Sequence, residues 1–177
     1  TYEINMANIE LFKANTYPLT NGIRLIEASA GTGKTFSLSH LVLRLLTEKE
    51  YSINEILVVS FTEATASEIK AKIIERLISA LKIIETINTN VKQDEIDDVL
   101  KEWIELNIKS KERALYFASL ILEALERIDN ADITTIHGFC SKTLRREAIE
   151  NGNNINPKIE KDSSAIITEI VEEYWKK

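Results

Sequence analysis

Hydrophobic positions along the chain recur at two periods. Residues 33–48 carry Leu38, Leu41, Val42, Leu45 and Leu46 at helical spacing, and residues 63–86 carry Ile69, Ile73, Leu77, Leu81 and Ile84 on one face. The same reasoning predicts helices near 94–107 and 111–128, over 138–151 with its end at Gly152, and after Pro157 over 163–177, capped by Asp162 or Ser163. Between them lie runs of strand length. Residues 23–28 (Ile-Arg-Leu-Ile-Glu-Ala) predict a first short strand, and Ile56–Ser60 is continuously apolar, as in a buried parallel strand. The β-branched run Ile133–Ile136 predicts a third. Strands alternating with helices argue an α/β fold with a parallel sheet, the first two strands joined by a right-handed helical crossover. The all-helical stretch 87–130 reads as an insertion between strands.

Composition narrows the classes. With 44% apolar and 28% charged residues in 177, the chain has ordinary globular content and is not a disordered segment. A net charge of −6 excludes a generally basic nucleic-acid coat but permits a local groove. The imbalance is concentrated: residues 91–105 hold six acids and two lysines, a poor surface for phosphates and one expected to face solvent or a protein partner. One cysteine, Cys140, excludes an internal disulfide and fits a reducing, cytoplasmic setting; a small buried apolar role is expected for it. No apolar run approaches the ~20 residues of a membrane span. Residues 1–8 carry no signal-peptide pattern.

Glycine is scarce, and two of the five stand in one short segment. Ala28-Ser29-Ala30-Gly31-Thr32-Gly33-Lys34-Thr35, followed by Phe36, is expected to leave a strand and open a helix, the setting of a phosphate-binding P-loop. Small residues let backbone N–H groups converge on an anion, and the helix adds its positive end. Lys34 would reach the outer phosphates, and the Thr35 hydroxyl would bind Mg²⁺ bridging them. Alone, the loop implies ATP or another nucleotide and no particular reaction.

Two later segments share the expected sheet edge. Phe61-Thr62-Glu63-Ala64 closes the second strand, with Thr62 placed to cap the next helix. Phe61 suits either a core or a surface that stacks on single-stranded DNA. Thr135-Ile136-His137-Gly138-Phe139-Cys140 closes the third, with Thr135 and His137 expected on one side of Ile136. Lys142, Arg145 and Arg146 follow, giving residues 138–148 a net charge of +2.

Taken together, these segments resemble superfamily 1 DNA helicases of the UvrD/Rep type, in which Ala28 is the usual residue at the start of the P-loop. Phe61-Thr62-x-x-x-Ala66-x-Glu68 is similar to the family's motif Ia, and Thr135-Ile136-His137 to its motif Ic. The wording Leu25–Phe36, Phe61–Ala64 with Glu63, and Thr135–Cys140 looks like the RecB-type beta subunits of exodeoxyribonuclease V. The resemblance runs over roughly 17–177 and covers only the start of the family's chain. It implies a P-loop NTPase whose RecA-like parallel sheet, partial here, has helices on both faces and a helical insertion. It also implies an extension over 1–16, a first motor domain over 17–152 interrupted at 87–130, and the start of an inserted helical subdomain over 153–177.

By that resemblance Ala28, Ser29, Ala30, Gly31, Thr32, Gly33, Lys34, Thr35 and Phe36 hold ATP and Mg²⁺. Phe61, Thr62, Glu63, Thr135 and His137 would lie on DNA. RecC- and RecD-like subunits are the implied partners, with no membrane involved. The implied activity is ATP-driven movement on single-stranded DNA in double-strand break repair, by a helicase that also degrades DNA. No apolar strand ending in Asp-Glu is visible, since Asp94-Glu95 follows Val91-Lys92-Gln93, and no second motor domain follows; the chain alone is expected to be inactive. Thr20 and Asn21 stand where the family's adenine-reading Gln is expected, which leaves base reading to backbone and to side chains such as Tyr17. A small P-loop phosphotransferase, of nucleoside or shikimate-kinase type, is the alternative. The 87–130 stretch holds only Arg113 and Arg127, too few for that class's arginine-rich lid.

Overall fold

The computed structural model describes residues 11–29, 31, 33–89, 97–151 and 164–175. In chain order these form α1 (Lys34–Glu48), β1 (Leu57–Ser60), α2 (Glu63–Thr89), α3 (Asp98–Asn107), α4 (Lys111–Glu126), β2 (Asp132–Thr135), α5 (Ile136–Asn151) and α6 (Ser164–Trp175). They divide into two compact units, 1–136 and 137–177.

In the first unit β1 and β2 pair in parallel, Leu57 opposite Asp132 through Ser60 opposite Thr135. Helix α2 packs on both strands, and α1 packs against α2 and α4. Local chemistry sets the helix starts. The Thr62 hydroxyl accepts from the Thr65 N–H at 3.1 Å, the Asp97 carboxylate from Leu100 N–H at 2.9 Å, and the Ser110 hydroxyl from Arg113 N–H at 3.2 Å. Ile69, Ile73, Leu77 and Ile84 form the buried face that the helical period of α2 predicts.

The stretch expected as an insertion is part of this core. Leu100 and Trp103 from α3 and Ala114, Phe117, Ile121 and Ala124 from α4 are buried in the same cluster as Val42, Leu43 and Leu46 of α1. Trp103 and Phe117 stack with centroids 5.7 Å apart. The described part of the acidic segment is accordingly two-faced: Leu100 and Trp103 enter the core, while Asp98, Glu102 and Glu105 stay exposed. Asp94 and Glu95 lie outside the described residues, as do Ala30, Thr32, Gly152, Asp162 and Ser163.

Three expectations are corrected. Residues 23–28 form no strand; the segment is irregular, with Ile23 fully exposed and Leu25 80% exposed. A strand exists only through a neighbour's N–H and C=O groups, and the described sheet contains β1 and β2 alone. For the same reason β1 is buried on one side only: Val58 is covered, while Leu57 and Val59 are exposed. Second, β2 ends at Thr135 and α5 begins at Ile136, so His137 sits in a helical first turn and does not share a strand face with Thr135. Third, Cys140 is exposed. One helical turn to either side, Ile136 and Leu144 are exposed as well, so the thiol lies on the open face of α5.

Candidate functional site

The loop before α1 has the backbone that its glycines suggest. Gly31 and Gly33 sit at φ +79° and +82°, in the left-handed region where a side chain would be strained. Gly33 is the N-cap of α1, and no side chain bonds there. The first-turn N–H groups, which have no acceptor within a helix, are therefore left for an anion. The Lys34 Nζ donates to the carbonyls of Ala28 and Ser29, both at 2.9 Å, so the ammonium folds back over the loop. Phosphate oxygens would replace two neutral acceptors with charged ones, a stronger pairing. Thr35 follows in the first turn, half-buried, and Phe36 is exposed.

The second group of predicted residues gathers at the C-terminal ends of β1 and β2. Phe61 is 91% exposed and takes no part in the core. Thr62 caps α2, its hydroxyl 2.8 Å from that of Thr65. Thr135 is buried, and its hydroxyl donates to the Glu63 carboxylate at 2.8 Å. This bond joins the end of β2 to the first turn of α2, where an acidic residue also complements the helix dipole. Glu63 and Thr135 are thus bonded to each other. His137 is exposed and belongs to the second unit, as do the exposed Lys142, Arg145 and Arg146 of α5. Among the described residues no group of three or more His, Cys, Asp or Glu is placed to hold a metal ion.

Comparison with known proteins decides the family. The chain matches the UvrD/REP helicase N-terminal domain over residues 8–177. It belongs to that family. It is 36% identical over 173 residues to the RecBCD enzyme subunit RecB of Haemophilus influenzae, covering 91% of this chain and 14% of that protein. The RecB subunits of Escherichia coli (33% over 164 residues; 88% and 13%) and Borreliella burgdorferi (35% over 153 residues; 86% and 10%) are similarly related. The chain thus spans about one-seventh or less of the length of these relatives. Family membership leaves the small-phosphotransferase alternative without support. No described helix is long and apolar enough to cross a membrane.

One constellation was not foreseen from the UvrD/REP motifs. His40 on α1 is fully buried, with its Nε2 2.6 Å from Asn15 Oδ1. Its Nδ1 receives Arg76 Nε at 3.1 Å and Nη2 at 2.8 Å. A guanidinium can only donate, so Nδ1 accepts and Nε2 carries the proton given to Asn15. Asn15 Nδ2 in turn donates to Val99 O at 2.9 Å and to Glu102 at 2.7 Å. Arg76 also pairs with Asp97. Burial, followed by Arg76 and Arg44, pushes the His40 pKa from 6.5 to about 3, with Asp97 opposing. Arg44, one turn further along α1, donates to the carbonyls of Ala14 at 2.7 Å and Tyr17 at 2.8 Å. The segment carrying Tyr17 is thereby pinned to α1; the Tyr17 ring lies 5.1 Å from that of Phe12 and 5.8 Å from the Arg24 guanidinium. The signal in the sequence was Arg76 itself, which falls between Ile73 and Leu77 on the apolar face of α2.

Proposed function

We propose that this chain is the ATP-binding N-terminal part of a RecB-type DNA helicase and exonuclease subunit, which in the whole protein moves along single-stranded DNA during double-strand break repair. The observation that carries this reading is the left-handed backbone at Gly31 and Gly33 immediately before Lys34, at the uncapped start of α1, in a member of the UvrD/REP family. In this reading the described sheet is part of a RecA-like motor domain over 17–152, with the inserted helical subdomain beginning at 153. The loop from Ala28 to Thr35 holds the triphosphate, and Phe36 lies beside it. The Thr35 hydroxyl would hold Mg²⁺, which would supply charge neutralisation on the outer phosphates.

Lys34 releases Ala28 and Ser29 to bind those phosphates. Phe61 offers an exposed ring for a base, Thr62 fixes the start of α2 beneath it, and the Glu63–Thr135 bond keeps the two strand ends in register. In the second unit, taken by itself, His137 and the exposed Lys142, Arg145 and Arg146 of α5 are the proposed contacts for DNA phosphates. RecC- and RecD-like subunits are the proposed partners, on the strength of the relatives' designation as RecBCD subunits, and the proposed setting is cytoplasmic.

Titration of Mg-ATP into the chain and its Lys34→Ala variant tests the reading. The expected result is a loss of affinity of at least tenfold, since a charged partner of the phosphates is removed. Equal affinities would defeat the phosphate-loop assignment.

A further inference from the structure

The phosphate loop opens α1; a second concavity lies at the other end of that 15-residue helix, about 20 Å along its axis. There the last turn of α1, the single helical turn Ile53–Glu55 and the middle of α4 form a cleft of about 160 Å³. Pockets that take whole small molecules run to roughly 300–1,000 Å³, so this one has room for a single long side chain. Its floor is apolar: Leu46, Ile53 and Ala124 are buried and Leu120 is half-buried. Its rim is acidic, with Glu50, Glu55 and Glu123 all exposed, and Tyr51 adds an aromatic wall.

The rim carries more negative charge than its own bonds offset. Glu55 accepts from the Ser52 N–H at 2.8 Å, and Glu50 from the neutral Tyr116 hydroxyl. Only Glu123 has a cation, Arg127 at 3.3 Å, in an exposed pair of little strength that does not line the cleft. The negative end of α1 points the same way, and its last turn holds no basic residue. Glu50 also stands at φ +58°, just past the end of α1, where glycine is the relaxed choice.

An apolar floor beneath an acidic rim matches a side chain that is apolar along its stem and cationic at its tip. Arginine matches better than lysine, because a planar guanidinium can lie against the Tyr51 ring and bond more than one carboxylate. The exposed apolar surface also continues beyond the cleft, since Leu115 and Leu122 on α4 are 63% and 51% exposed. A free cation would leave these bare, whereas a protein surface would cover them.

We propose that this cleft docks a protein partner that inserts an arginine, its stem over Leu46, Ile53, Leu120 and Ala124 and its guanidinium between Glu50 and Glu123. The site shares no residue with the nucleotide or DNA positions assigned above and stands or falls independently of them.

The test follows the backbone amides of Tyr51, Ile53 and Ala124 by NMR in the isotope-labelled 177-residue chain. The probes are the peptide acetyl-Leu-Ala-Arg-Ala-Leu-amide, the same peptide with neutral citrulline in place of arginine, and spermidine. The arginine peptide is expected to shift all three amides and to bind about tenfold more tightly than either other probe. The double variant Glu50→Gln/Glu123→Gln should weaken the arginine peptide about tenfold and leave the citrulline peptide within about twofold. No shift at these amides, equal binding of the citrulline peptide, or undiminished binding to the double variant would each overturn the inference. Spermidine binding as tightly as the arginine peptide would overturn it too, by making the cleft a site for free cations. Should the double variant fail to fold, the three probes on the wild-type chain decide alone.

Discussion

His40 shows how a single side chain can be set by its surroundings against its own chemistry. It sits among Arg44 from its own helix, Arg76 from α2, Asp97 before α3 and the neutral Asn15, and it is held uncharged with a pKa of about 3. The unfolded chain takes up a proton near pH 6.5 that the folded chain refuses until about pH 3. Stability is therefore full above pH 6.5 and falls as the pH drops through that window, by about 1.4 kcal/mol per unit for this one proton. Urea unfolding between pH 7 and 5 should show a shallower dependence in His40→Gln, which keeps an acceptor and a donor but does not titrate; identical slopes would contradict this account. At this scale the site was partly legible. Gly31 and Gly33 announce the left-handed turn before α1 because few residue types satisfy that backbone. His40 and Arg76 do not, because their pairing spans 36 residues of sequence.

Among the elements, local periodicity was a good guide wherever one helix face meets the core. It located α1, α2, α3 and α4 and the strands β1 and β2 to within a few residues. It failed over 23–28, where an apolar alternation promises a strand but the pairing partner has to come from elsewhere in a sheet. Nor does spacing in sequence reveal that α3 and α4, within 87–130, close the core over α1 and α2. Phe117 lies fully buried on α4 against Trp103, so Phe117→Ala should destabilise the unit by about 3–5 kcal/mol, read as a lower urea midpoint with the slope unchanged. If the stretch were a dispensable insertion, the loss would be slight. Removing the cap of α2 with Thr62→Ala should cost about 1 kcal/mol by the same measurement. A change within error would show that the Thr62 hydroxyl contributes nothing to the start of α2.

For the whole molecule, holding a nucleotide and spending it are separable. No acidic pair at the end of an apolar strand is visible in the sequence, and the described sheet has two strands. The 177-residue chain is therefore expected to bind Mg-ATP yet release no measurable phosphate in the presence of single-stranded DNA. A steady DNA-stimulated turnover in a phosphate-release assay would show that the chain carries a complete hydrolytic set. These experiments share one practical condition, set by the open face of α5. Cys140 is the sole thiol in the sequence and it is exposed, so an intermolecular disulfide can form only through this one atom. Samples are best kept with reductant until labelling, when the same atom offers a maleimide dye one known position with no engineering.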